Sequence, residues 1–358
     1  MKSIKIGLIG VGTIGSNTFN VLRRISSKIL SEEALNIEVV CVADINVERA
    51  KLVTENKVPV FKTGQELIHN PNIDIIVELI GGCGFAKEIV FGAINNKKHV
   101  VTANKALIAL HGQEIFLKAK ENNVIVAFEA SVAGAIPIIK VLRESLIANN
   151  INFIAGIMNG TSNFILSEML DQRLSFNSAL EKAKNLGFAE ADPSFDIDGT
   201  DAAHKITIIS SIAYGLPLSF EKVFVKGIDD IRLDDIKFCE KNGYKIKLIA
   251  LAKIKQNKVE IRVCPSLIPI DHIIAKVDGA MNAILVKGDA IGEAFFYGQG
   301  AGGEPTASAV ISDIVDISRI INLHRNLGKV DNQKKNRNFR KKIINTKFLF
   351  FMFRIKKK

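Results

Sequence analysis

The chain of 358 residues has no tryptophan, six histidines and four cysteines, and each scarcity closes off a class of function. Cys41, Cys83, Cys239 and Cys264 stand far apart, without a CxxC pair or zinc-type spacing, in segments that read as core. That usage fits a reducing cytoplasm. No two histidines stand at metal-ligand spacing, and no Ser/His/Asp arrangement stands out. There is no run of ~20 apolar residues able to span a bilayer. The apolar start of the chain is broken by Gly7, Gly10, Gly12 and Gly15 and lacks a cleavage region, so it reads as strand and turn rather than as a signal peptide. No internal repeat is present.

The formal charge is +11, but from residue 326 onward 12 Lys and Arg face one acid, Asp331, which leaves 36 residues of each sign in residues 1–325. The body is neutral, so it lacks the basic face that phosphate neutralisation requires, and nucleic acid is not expected as a partner. At this length two domains can each bury a core.

Short apolar strands at Ile4–Ile9, Ile37–Ala43, Ile73–Leu79, His99–Thr102 and Val124–Phe128 alternate with stretches of helical periodicity. That alternation predicts right-handed crossovers and a parallel, doubly wound Rossmann-type sheet over residues 1–136. From Pro137 the texture changes. A long helix is expected over Ile138–Ile147, then a strand at 151–158, helices at 164–171, 177–186 and 201–213, and alternating runs at 246–254, 258–264, 282–287 and 290–296. This pattern suits an α+β domain over 137–304 with a mixed sheet and helices on one face. A last helix is expected at 305–322, followed by a basic, low-complexity tail over 326–358 that is expected to be disordered.

Gly10-Val-Gly12-Thr13-Ile14-Gly15 follows the first strand and opens a helix, the context in which a dinucleotide fingerprint has physical meaning. Gly10 permits the tight turn, Gly12 admits a pyrophosphate to the backbone, and Gly15 allows close helix–strand packing. Asp44 ends the second strand, where a carboxylate can bond a ribose hydroxyl. Asp44 favours NAD over NADP, the nearby Arg49 complicates that preference, and it stays open. Thr102-Ala103-Asn104-Lys105 brings a polar cluster to the carboxyl edge of the sheet. Farther on, GFAEADPSFDIDGTDAAHK at 187–205 gathers Glu190, Asp192, Asp196, Asp198 and Asp201 with His204 and Lys205 around a proline turn. Asp201 and Lys205 are four apart on the helix that begins at Thr200 or Asp201, hence on one face, and a lysine held beside a carboxylate in a dry cleft can move a proton. His204 points off that face, toward a structural or supporting role. Asn159-Gly160-Thr161-Ser162-Asn163 is a donor-rich turn in which Ser162 or Thr161 could cap the next helix, or which could bind a carboxylate. Gly300-Ala-Gly302-Gly303 again precedes a helix and could approach a cofactor or simply pack at a domain crossing.

The 187–205 segment resembles the substrate-site signature of homoserine dehydrogenases, and GLIGVGTIGS, VVTANKALIA and GQGAGGEPTASAVISDIVDI agree with it in order along residues 1–322. The resemblance implies reversible interconversion of L-homoserine and L-aspartate 4-semialdehyde with NADP or NAD, on the route to threonine, methionine and isoleucine. It implies catalytic roles for Lys205, Lys105 and Asp201, and substrate contacts from Glu190, Asp196, Asp201 and Thr161. Cofactor contacts would come from Gly10, Gly12, Thr13, Ile14, Gly15, Asp44, Asn104, Lys105, Gly187 and Gly302. It further implies a monovalent cation, sodium or potassium, held by Glu129 and the carbonyls of Val132, Gly134 and Ile136, and it implies a cytoplasmic homodimer. Many bacterial members carry a further ACT domain that senses threonine. The catalytic pattern here stops near Asn322, so a short form without that domain, and without threonine inhibition through it, is expected. The tail reads either as a membrane-surface anchor or as run-on translation. Rival classes, another amino-acid dehydrogenase or a non-catalytic NAD-binding regulator, would lack the 187–205 segment or one of the two lysines.

Overall fold

A computed structural model of the chain describes residues 3–256 and 258–333, with side chains to residue 324. The first sheet contains β1 (Ile4–Ile9), β2 (Ile37–Ala43), β3 (Val60–Phe61), β4 (Ile75–Glu78), β5 (His99–Thr102) and β6 (Val126–Ala127). They are all parallel and ordered β3-β2-β1-β4-β5-β6. The order reverses between β1 and β4, which opens a ligand crevice at their carboxyl ends. The crossovers are α1 (Thr13–Glu33), α2 (Val47–Thr54), α3 (Gln65–His69), α4 (Gly84–Asn95) and α5 (Lys105–Asn122). β1 and β4 are almost wholly buried apolar runs because helices cover both faces of the sheet.

The second domain opens differently from its periodicity. In place of a continuous helix over 138–147 there is one short α-helical piece, α6 (Ile138–Lys140), which widens into a π-helical turn over Val141–Ser145. Its amino end is pinned by the Glu129 carboxylate, which accepts the backbone N–H of Ile139 and of Lys140 at 2.9 and 2.8 Å. The Lys140 amine is drawn away to Ser312 and the carboxylates of Asp313 and Asp316. These are long-range ties that periodicity does not register.

Next come β7 (Ile151–Ile157), α7 (Gly160–Asp171), α8 (Phe176–Asn185), α9 (Ser194–Ile197), α10 (Thr200–Tyr214), β8 (Phe224–Val225), α11 (Leu233–Lys241), β9 (Tyr244–Lys255), β10 (Lys258–Pro269), β11 (Met281–Gly288) and β12 (Gly292–Gln299). The six strands form a mixed sheet ordered β12-β11-β7-β9-β10-β8, antiparallel except where β8 joins β10. α7, α8, α10 and α11 bury their apolar residues on one face of it, around Ile154, Ile206, Ile209 and Ile284.

The chain ends, within the described residues, on α12 (Gly303–Gln333). Ala309, Val310, Ile311, Ile314 and Ile317 of this helix pack into the first domain's core with Phe19 and Leu22 of α1. The helix runs past the expected end at Asn322: 326–333, expected to be disordered, are helical in backbone. The rest of the predicted tail, 334–358, lies outside the described residues. Among the described residues no helix is long and apolar enough to cross a membrane.

Candidate active site

The glycine turn is built by backbone geometry. Gly10 has φ +91°, and a side chain there would lie 2.6 Å from the Leu79 carbonyl oxygen. A Cβ on Gly15 would stand 1.9 Å from the Gly10 carbonyl oxygen, whereas one on Gly12 would meet nothing within 4 Å. Two glycines therefore make the turn, and the third keeps a face open beside the N-terminus of α1, with exposed Thr13 and half-buried Ile14 next to it. Asp44 locks this turn: its Oδ2 accepts the Val11 N–H at 2.6 Å and its Oδ1 accepts that of Asn46 at 2.8 Å. The Gly300–Gly303 loop closes the same corner, since a Cβ on Gly303 would lie 2.2 Å from the Asn17 side-chain amide of α1. Gly302 enters that loop with φ +124°.

At the neighbouring strand ends, Glu78 is fully buried. Its Oε2 accepts the Thr102 hydroxyl at 2.6 Å and its Oε1 the Ile80 N–H at 2.8 Å. Burial raises its pKa above the usual carboxylate value, against the pull of these donors. Asn104 caps α5 by accepting the Leu107 N–H and gives its Nδ2 to the Gly82 carbonyl at 2.6 Å. Lys105, the first residue of α5, is thereby aimed out of the sheet edge.

It reaches the second domain. Lys105 Nζ lies 2.9 Å from Asp201 Oδ1, and Lys205 Nζ lies 2.6 Å from Asp201 Oδ2. Lys205 also donates to the Met158 carbonyl at 2.6 Å, and Asn159 Nδ2 donates to both Asp201 Oδ2 and Asp196 Oδ1, at 2.8 and 2.6 Å. Asp201 and Lys205 are buried, while the Lys105 side chain is 40 % exposed. Burial alone would raise the Asp201 pKa, but the two ammonium groups outweigh it and hold the carboxyl far below its usual range. Burial pulls the Lys205 pKa down against the opposing pull of Asp201. Lys105 moves the other way, raised by Asp201. Asp196 is raised by burial and by the neighbouring Asp201 charge.

The remaining residues singled out from sequence fall into three places. Thr161 donates to the Phe188 carbonyl at 2.6 Å and so ties α7 to the acidic segment, on whose exposed stretch Glu190 sits close enough to act on Lys105. Gly187, φ +76°, starts that segment with open space around it. Glu129, Val132, Gly134 and Ile136 form a separate loop at the domain crossing. Burial raises the Glu129 pKa to about 7, and Gly134, φ +51°, packs against Gly300. His204 is buried between Phe220 and Phe195, with ring centroids 4.5 and 6.4 Å away. Two polar roles escaped the sequence reading. Glu78 could have been found, like Asp44, as an acid closing an apolar strand, whereas nothing local tied Asn159, noted only as part of its turn, to carboxylates about forty residues away.

A parallel sheet with its crevice at a glycine turn, facing across a domain junction a Lys–Asp–Lys array centred on a buried carboxylate, has the make-up of a nicotinamide-dependent dehydrogenase. Residues 10–129 match the model of the homoserine dehydrogenase NAD-binding domain, and residues 137–315 match that of homoserine dehydrogenase. The chain belongs to the homoserine dehydrogenase family and is an NAD(P)-dependent oxidoreductase. It is 51 % identical to homoserine dehydrogenase of Pseudomonas aeruginosa over 320 residues, covering 89 % of this chain and 73 % of that one. The crystal structure of a homoserine dehydrogenase from Thiobacillus denitrificans superposes with a TM-score of 0.88 at 51 % identity, covering 90 % of this chain and 75 % of that one. A hyperthermophilic archaeal homoserine dehydrogenase mutant in complex with NADPH is similar at TM-score 0.75 and 30 % identity, covering 88 % of this chain and 98 % of that one.

Proposed function

We propose that Lys205 carries the proton and Asp201 positions it while homoserine and aspartate semialdehyde are interconverted. The observation behind this reading is the sharing of one buried carboxylate by two lysines from different domains. The glycine turn would hold NAD(P), which would supply the hydride acceptor for the alcohol carbon and, in the reverse direction, the hydride donor to the aldehyde. In oxidation the hydroxyl proton passes to neutral Lys205; in reduction the Lys205 ammonium protonates the developing alkoxide. Because burial lowers the Lys205 pKa, its neutral form is reached below the ordinary lysine range. Reductive turnover therefore falls, and oxidative turnover rises, as pH climbs through that value. Lys105 stabilises negative charge on the substrate oxygen. Glu190, Asp196 and Asp201, with Thr161, bind the substrate, most naturally through its ammonium group. Gly10, Gly12, Thr13, Ile14, Gly15, Asp44, Asn104, Lys105, Gly187 and Gly302 border the cofactor.

Lys205→Ala is expected to lower kcat about 10²–10⁴-fold with little change in nicotinamide binding. Normal turnover in that variant, measured by nicotinamide absorbance with homoserine, refutes the assignment.

The Glu129 carboxylate and the carbonyls of Val132, Gly134 and Ile136 offer oxygen donors only, a set that fits a hard monovalent cation such as sodium or potassium rather than a soft metal. Leu251, Ala155, Leu285 and Phe295 form one row across the open face of the second sheet. Leu251 and Phe295 remain partly exposed there, and a second copy of the chain would cover them. With four free cysteines, we place the enzyme in the cytoplasm as a homodimer, on the route to threonine, methionine and isoleucine.

A further inference from the structure

Among the described residues the bulkiest fully buried side chain is a charged one. Lys247 of β9 is 1 % exposed. Its amine spends its donors on the Val277 carbonyl at 2.6 Å, Asp278 Oδ1 at 2.8 Å and Asn163 Oδ1 at 3.0 Å. Asn163 in turn gives its Nδ2 to the carbonyls of Val277, Gly279 and Met281, at 3.1, 2.8 and 3.2 Å. Ser167 Oγ accepts the Gly279 N–H at 3.0 Å. The 277–281 loop is thus strapped across the first turn of α7, so closely that a Cβ on Gly160 would lie 2.7 Å from the Ala280 carbonyl oxygen.

That turn leads directly to the site. The Asn163 N–H bonds the Asn159 carbonyl at 3.3 Å, and the Asn159 side chain accepts the Ser162 N–H at 2.8 Å while donating to Asp196 and Asp201. Burying an ammonium costs several kcal/mol, and a methionine of similar length would fill the volume without that cost. Packing does not account for the amine. What the amine adds is directed donors that stop the strap and the turn from sliding past each other.

We propose that Lys247 is a positioning residue for the reaction: through Asn163 and the first turn of α7 it holds the Asn159 amide against Asp201 and so sets the spacing of Asp201 from Lys205. This inference rests on Lys205 being the proton carrier. The groups around the Lys205 amine are Asp201 on its own helix, Lys105 from α5, Asp196 from α9 and the Met158 carbonyl at the end of β7. If Asp201 is loosened, the pull that opposes burial weakens, and Lys205 loses its proton at a lower pH.

The test is Lys247→Met in the full chain, assayed in the reductive direction across pH, with nicotinamide affinity measured separately. The expected result is a fall in kcat of about 10–100-fold, nicotinamide affinity unchanged, and the alkaline limb of kcat displaced to lower pH. A variant that loses thermal stability but keeps the parental kcat and alkaline limb overturns the proposal. Should Lys247→Met fail to fold, Asp278→Asn removes the counter-charge at a half-exposed position. The same displacement, smaller, supports the proposal, and an unmoved limb overturns it. Lys205→Ala is assayed in parallel: full activity there removes the underlying assignment, whereas an inactive Lys205→Ala beside an unmoved limb removes only the role of Lys247.

Discussion

The glycine turn after β1 and the acidic segment before α10 each deliver a helix N-terminus to the same crevice, by opposite means. The turn is shaped by backbone, by residues within six positions of one another and by one carboxylate, Asp44, bonded to main-chain N–H groups. The acidic site is made of side chains from α5, α9, α10 and the N-cap of α7, with the Met158 carbonyl after β7, gathered around the Asp201 carboxylate. The turn should thus be sensitive to volume and nearly indifferent to charge; the acidic site should be the reverse.

The sharpest way to break that contrast is Asp201→Asn, which keeps shape and removes charge. Reductive kcat should fall about 10²–10⁴-fold and nicotinamide binding change little, while thermal stability drops because the buried Lys205 ammonium loses its counter-charge. Near-normal turnover would mean that the array works by shape after all.

Next in size is Gly15→Ala, a change of one methyl with no charge. Its Cβ would lie 1.9 Å from a carbonyl oxygen of the main chain, which cannot swing aside as a side chain could. A loss of about 1–3 kcal/mol in unfolding free energy is expected, with nucleotide affinity lost alongside. The smallest effect sharpens the comparison most. Gly12→Ala adds the same methyl to open space, so stability should hold while dinucleotide affinity, read by titration, falls about tenfold. Equal melting losses for the two alanines would show that Gly12 is structural.

The same division explains how much could be read from the chain before its fold was known. The parallel first sheet, apart from the two-residue β3, and the glycine turn were legible because strand, turn and helix are contiguous and the glycines act mainly on atoms close by. Lys105 stood out as a strand end, and Asp201 with Lys205 as a one-turn pair. The spacing between Lys105 and Asp201 was supplied by resemblance rather than by pattern, since no local signal relates residues 105 and 201. The turn was legible as a helix cap, but the cap is Asn159 rather than Ser162 or Thr161: it accepts the Ser162 N–H, and its other end bonds two carboxylates brought in by folding. The helix expected over 138–147 is there through Ser145, but periodicity did not show that it widens into a π-helical turn from Val141.

The chain passes between its two domains twice, once through 128–137 and again through 299–303, and the two passages touch. The Ala135 N–H bonds the Gln299 carbonyl at 3.0 Å, and a Cβ on Gly134 would lie 2.8 Å from the Gly300 carbonyl oxygen. The two crossings therefore bear directly on each other, and Ile108 and Ala109 of α5 are built into the second domain's buried core, so the amine of residue 105 meets its carboxylate across a packed junction rather than an open gap.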